Sequence, residues 1–141
     1  MPGRDPTHWL HRLTSDEWLA AAETELRLGE EALGRRAVRP AVTHARRAAG
    51  MGLNAILTLT EDARFGRSYM DHVVALATLS DVDTPTEVRA AAQRLRDTPA
   101  TPPTLITIGK PDTRLLEEAR RITRYAAARV AALRAASEPA N

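Results

Sequence analysis

The run from Trp18 to Leu59 constrains this chain most, because it holds two long amphipathic helical patterns joined by a short break. Leu19, Ala22, Leu26, Gly29 and Leu33 recur at spacings of three and four, which places them on one helix face. Ala41, Ala45, Ala48, Gly52, Ala55 and Leu59 follow at the same spacing, and nearly all are small. A seam of small residues lets two helices approach closely, so this pair is expected at the centre of a compact bundle.

The rest of the chain fits that expectation. Its 141 residues are enough for one core, and with 4% aromatics and one phenylalanine the core must be built from Ala, Leu, Val and Ile. Alanine buries little area, so dimerisation through an exposed apolar face would add to the core, and a homodimer is expected. The absence of cysteine excludes disulfides, thiolate metal sites and cysteine nucleophiles. The net charge of +2 is too small to argue nucleic-acid binding from charge alone. No stretch approaches the roughly 18 apolar residues that a membrane span needs, and Met1–Asp5 lacks a signal-peptide core. A cytoplasmic protein with no membrane association is the expectation.

Local signals divide the chain into one helical-bundle domain over 1–141, with an N-terminal arm at 1–13 and a fraying tail at 137–141. Asp5-Pro6 reads as a helix start, so His8 to Leu13 is expected to form one or two turns. Thr14-Ser15-Asp16-Glu17 fits a capping box that opens a helix running to Leu33 and stopping at Gly34. The second helix is expected over Val38–Leu59, with Pro40 in its first turn. Gly50 and Gly52 inside it point to tight helix contact. Ser68 or Tyr69 begins a third helix, and Thr84-Pro85-Thr86-Glu87 reads as another capping box opening a helix through Arg96. Asp97 to Asp112 is an extended loop, including the strand-like Leu105–Ile108, before a last helix faced by Leu115, Ala119, Ile122, Ala126, Val130 and Leu133. The fold class is therefore all-α, an up-and-down antiparallel bundle of four to five helices with a short N-terminal segment and an extended loop before the last helix.

Three sets of residues carry this order of elements: Trp18-Leu19 with Ala22 and Leu26; Val42 to Ala49, then Leu53-Asn54-Ala55-Ile56-Leu57; and Tyr69 to Leu79. Together they resemble the HEPN (higher eukaryote and prokaryote nucleotide-binding) family of small helical bundles, with the helix from Asp112 similar to the closing one. The resemblance implies a module that binds a nucleotide, a nucleic acid such as RNA, or a protein partner. Ribonuclease members of the family use an arginine followed by a histidine, paired across a dimer. Arg67 and His72 fit that spacing, the histidine as acid or base on a ribose hydroxyl and the arginine on phosphate charge. Ser68 follows the arginine, where the family usually has Asn, Asp or His, and Arg39–His44, five positions apart like Arg67 and His72, and Arg4–His11, seven apart, are further pairs of the same kind.

Other candidates are weighed against plainer roles. Arg46 and Arg47, with Arg120, Arg121 and Arg124, could form a phosphate-binding strip, although Glu117 stands four residues before Arg121, as in a surface ion pair. Asn54 is a polar group facing the bundle, a core anchor or a ligand contact. His44 reads as a surface or capping histidine. His8 and His11 share a helical spacing, but no third ligand completes a metal site. Trp9 and Trp18 are expected to pack the N-terminal segment on the first helix, and the turn around Lys110 to cap the last one. No metal or cofactor is implied. The leading expectation is a non-catalytic HEPN-like binding module; a metal-independent toxin-type ribonuclease using Arg67 and His72, and a helical scaffold or interaction protein, are the alternatives.

Overall fold

The computed structural model describes residues 9–80, 83–99 and 113–137. Among them it contains five α-helices and no strand: α1 Ser15–Gly34, α2 Val38–Leu57, α3 Tyr69–Thr78, α4 Thr86–Asp97 and α5 Arg114–Ser137. Two short 3-10 turns, Trp9–Arg12 and Ala63–Phe65, lead into α1 and α3. The all-α bundle read from the sequence is the fold. Leu105–Ile108, His8, Lys110, Asp112 and the tail beyond Ser137 lie outside the described residues.

The helix starts follow from their caps. Thr14 Oγ1 accepts from the Glu17 amide at 3.2 Å, and the Glu17 carboxylate accepts from the Thr14 amide at 3.0 Å, which satisfies two of the amides a helix start leaves open. Ser68 and Asp71 form the same box at the start of α3. The box expected from Thr84 and Glu87 does not form. Pro85 occupies the N-cap itself, so Thr84 stands one residue too early to reach the open amides, and its buried hydroxyl has no partner. α1 ends where expected, but the left-handed residue of the α1–α2 turn is Arg36 (φ 59°), not Gly34. α2 stops at Leu57, two residues short of the expected Leu59, as the backbone turns through Thr58 and Thr58 Oγ1 donates to the Ala55 carbonyl at 2.8 Å.

α2 is the central element, packed on α1, α3 and α5. α1 and α2 form an antiparallel hairpin. α5 runs antiparallel to α1: Arg120 pairs with Glu30 at one end, and Arg134 reaches Asp16 at 2.9 Å at the other. It therefore follows α2 in the same sense, with Thr123 and Ala126 against Gly52. Ala22, Ala41, Ala45, Ala48, Ala49, Ala119 and Ala126 have no exposed surface, so the seam is closed by backbone proximity. Trp18 Nε1 donates to the Leu10 carbonyl at 2.9 Å, which fastens the N-terminal turn to α1. Among the described residues, Leu28 and Val74 are the large apolar side chains left exposed, on different helices. No helix among the described residues is long and apolar enough to cross a membrane.

Candidate functional site

Asn54 from α2 and His72 from α3 meet in the core, both without exposed surface. His72 Nδ1–H donates to the Phe65 carbonyl at 2.7 Å, and Nε2 lies 2.6 Å from the Asn54 amide. Burial pulls the imidazole below its ordinary value, against the opposing pull of the Phe65 carbonyl and Asp71, so the ring is neutral near pH 7. With its proton on Nδ1, the ring offers a lone pair at Nε2 and calls for a donor there. Asn54 Nδ2 is buried without a partner while the amide oxygen faces the ring. Turning the amide end for end puts its NH2 on Nε2, which pairs a donor with an acceptor and leaves the amide oxygen in the place where Nδ2 had no partner. Asn54 and His72 thus form a polar joint between α2, α3 and the 3-10 turn.

Trp9 closes over this joint. Its ring stacks on His72 with centroids 5.9 Å apart and planes at 24°. The Arg67 guanidinium, exposed ahead of α3, lies 5.9 Å from the Trp9 centroid. Arg67 and His72 therefore share one neighbourhood through Trp9. Both imidazole nitrogens are engaged and sealed from solvent, so in this arrangement no ribose hydroxyl reaches them, and proton transfer requires that contact.

Three of the arginines expected to form a strip, Arg46, Arg47 and Arg120, have separate partners. Arg46 donates from Nε to the Leu95 carbonyl at 3.1 Å, and from Nη2 to the same oxygen at 3.0 Å and to the Thr98 carbonyl. It caps the C-terminal end of α4, where free carbonyls favour a cation, and burial lowers its pKa. Arg120 is paired with Glu30, and Glu117 accepts from the Thr113 hydroxyl at 3.2 Å rather than pairing with Arg121. Arg47 alone of the named arginines joins a cluster that faces outward.

That cluster is built on Glu25. Its carboxylate is buried to 9% exposure, yet it projects from α1 beside Ala22, Leu26 and Gly29, where an apolar side chain would serve packing equally well. One carboxylate oxygen accepts from His44 Nδ1–H at 2.6 Å, and the other from Arg47 Nη2 at 3.2 Å. Arg47 also lies over the Tyr69 ring, 6.0 Å from its centroid. Tyr69 can come that close because position 50 carries no side chain: a Cβ there would stand 2.3 Å from Tyr69 Cβ. Burial raises the Tyr69 pKa, Arg47 opposes the rise and Glu25 adds to it. With Glu25 buried beneath them, the His44 and Arg47 side chains remain 26% and 47% exposed. His44 and Arg47 together leave a donor-rich patch around the one carboxylate.

Sequence reading placed Arg47 in a binding role but missed its companions. The signal was present: a glutamate interrupts the apolar stripe of α1 opposite a histidine next to the alanine seam of α2. His44 is half-buried and paired rather than a simple surface or capping residue. His11 Nε2–H donates to Glu61 at 3.0 Å, and no group of three or more His, Asp or Glu among the described residues could hold a metal. No known protein family, curated protein or solved structure matches the chain.

Proposed function

We propose that this bundle is a non-catalytic binding module for a small phosphate-bearing molecule, a mononucleotide by class, held at His44 and Arg47. The observation that carries it is the buried Glu25 carboxylate, which orients one donor group from each of two outward-facing side chains. Two donors one helical turn apart suit the oxygens of one phosphate, and the guanidinium is already held by Glu25 and Tyr69. A buried ion pair adds little to stability over an apolar filler, so its presence at position 25 favours a task beyond packing. The likeness of Val42–Leu57 to HEPN bundles supports a nucleotide as the ligand class. The sealed state of His72 supports a binding role over a ribonuclease one. A homodimer belongs to the same proposal, with Leu28 and Val74 as the apolar side chains open to a second copy.

The test follows the His44 ring signals by NMR while inorganic phosphate, and then each common mononucleotide, is titrated into the protein. A saturable shift is expected, and Arg47→Gln should weaken it by about tenfold or more, the effect of losing a charge-assisted hydrogen bond of about 1.5–3 kcal/mol. Absence of a saturable shift with phosphate and with every mononucleotide in the millimolar range would overturn the proposal. So would an Arg47→Gln variant that binds as wild type does.

A further inference from the structure

A concavity lies where α2, the Ala63–Phe65 turn, α3 and α5 meet, away from the Glu25 cluster. It has a volume of about 250 Å³. Its floor is apolar and well packed, formed by Leu53, Leu57, Phe65 and Leu76. The rim is charged, and most of that charge is already used. Asp62 accepts from Arg64 at 2.7 Å, and Glu61 from His11 at 3.0 Å. Two rim groups of opposite sign remain: Asp83 ahead of α4 and Arg129 on α5, both exposed and without a hydrogen bond or ion pair among the described residues. Tyr125, one turn before Arg129, adds a ring and a hydroxyl to the same wall.

We propose that this cleft binds a free α-amino acid with an apolar side chain. The side chain covers the Leu53–Leu57–Phe65–Leu76 floor and releases water from it. The carboxylate meets the Arg129 guanidinium, whose planar fork matches it, and the ammonium meets Asp83. The charge left on the rim suits this ligand: with Asp62 held by Arg64 and Glu61 by His11, one carboxylate and one guanidinium remain to meet a zwitterion's two charges. An internal peptide segment offers neither charge beside its side chain, and a chain end offers one of the two. An apolar amine leaves Arg129 without a role, and a fatty acid leaves Asp83 without one. The site is independent of His44 and Arg47.

The probes are L-leucine, L-phenylalanine, leucine amide and N-acetyl-leucine, each titrated calorimetrically into the full chain. Leucine or phenylalanine should bind saturably, with leucine amide and N-acetyl-leucine at least about tenfold weaker, a difference of about 1.4 kcal/mol. Arg129→Gln should bring the amino acid down to the level of its amide, and Asp83→Asn to that of its N-acetyl form. Both positions are exposed, and unchanged thermal melting of the variants checks that the fold is kept. Failure of both amino acids to bind at millimolar concentration overturns the proposal. Equal binding of leucine and its amide does so too, since it would mark a site for amines, and so does an Arg129→Gln variant with wild-type affinity.

Discussion

Replacing Gly50 with alanine tests the packing on which the candidate site stands. The new Cβ would lie 2.3 Å from Tyr69 Cβ, 2.6 Å from its Cδ1 and 2.7 Å from its Cα. Carbon atoms rest at about 3.5–4.0 Å, so the shortfall exceeds about 1 Å. One of those atoms is backbone, so a rotamer change cannot relieve the clash and the start of α3 must move away from α2. Such overpacking costs about 1–3 kcal/mol. The movement also strains the 2.6 Å contact between His72 and Asn54, whose loss leaves buried groups unmet at about 1–3 kcal/mol. Against this stands about 1 kcal/mol gained by alanine over glycine inside a helix. The net expectation is a loss of about 3 kcal/mol, or about 10 °C in melting temperature for a domain of this size. Gly34→Ala is the internal control: it has the same chemistry near a helix end, with nothing within 4 Å of the new Cβ and no positive φ to strain. It should be neutral or stabilising by up to about 1 kcal/mol. Urea unfolding of the two variants beside wild type reads both. A Gly50→Ala variant as stable as wild type, with its midpoint moving in the same direction as that of Gly34→Ala, would refute the close contact of α2 with Tyr69.

Stability should depend on pH through His72. Its folded pKa lies below the ordinary value because burial opposes the charged form, so the unfolded chain takes up this proton first as pH falls. The contribution is complete above about pH 6.5, the unfolded value, and is lost as pH drops from there through the folded pKa. The urea midpoint of wild type should therefore fall over that range, and more steeply than in His72→Gln; equal slopes would count against the buried neutral ring. Glu25→Leu should leave stability within about 1 kcal/mol of wild type or raise it, since the carboxylate's desolvation cost is removed while His44 and Arg47, 26% and 47% exposed, can turn to water. A loss above about 3 kcal/mol on unfolding would instead give Glu25 a structural task. The same variant should lose phosphate binding in the His44 titration, because both donors lose the group that orients them.

Much of the fold was legible because its signals are local and repeat. Thr14-Ser15-Asp16-Glu17 states a helix start in four residues, and the spacing of Ala41, Ala45 and Ala48 states a face. Thr84-Pro85-Thr86-Glu87 misled because the motif does not say which residue becomes the cap. Pro85 can occupy that place or the next, and the backbone takes the first option. Gly34 marked the end of α1 as expected, while the left-handed residue of the following turn, Arg36, carries no sequence signal of that conformation. The sites were less legible because they join residues distant in sequence. Glu25 and His44 stand 19 positions apart, and only the antiparallel turn between α1 and α2 brings them together. Arg46 and Arg47 look alike as neighbours in the chain. The 100° step between them sends one to the end of α4 and the other to Glu25 and Tyr69.

The N-terminal turn places the two indoles of this chain in unlike surroundings. Trp18 is buried with its N–H held by the Leu10 carbonyl, and Trp9 lies flat against the imidazole of His72. Lifting Trp9–Arg12 off the bundle would break both arrangements at once, freeing one indole from a hydrogen bond and the other from a stacked ring. The chain thus carries an intrinsic optical gauge of how firmly its leading segment is seated, and emission would register that motion before any helix unwound.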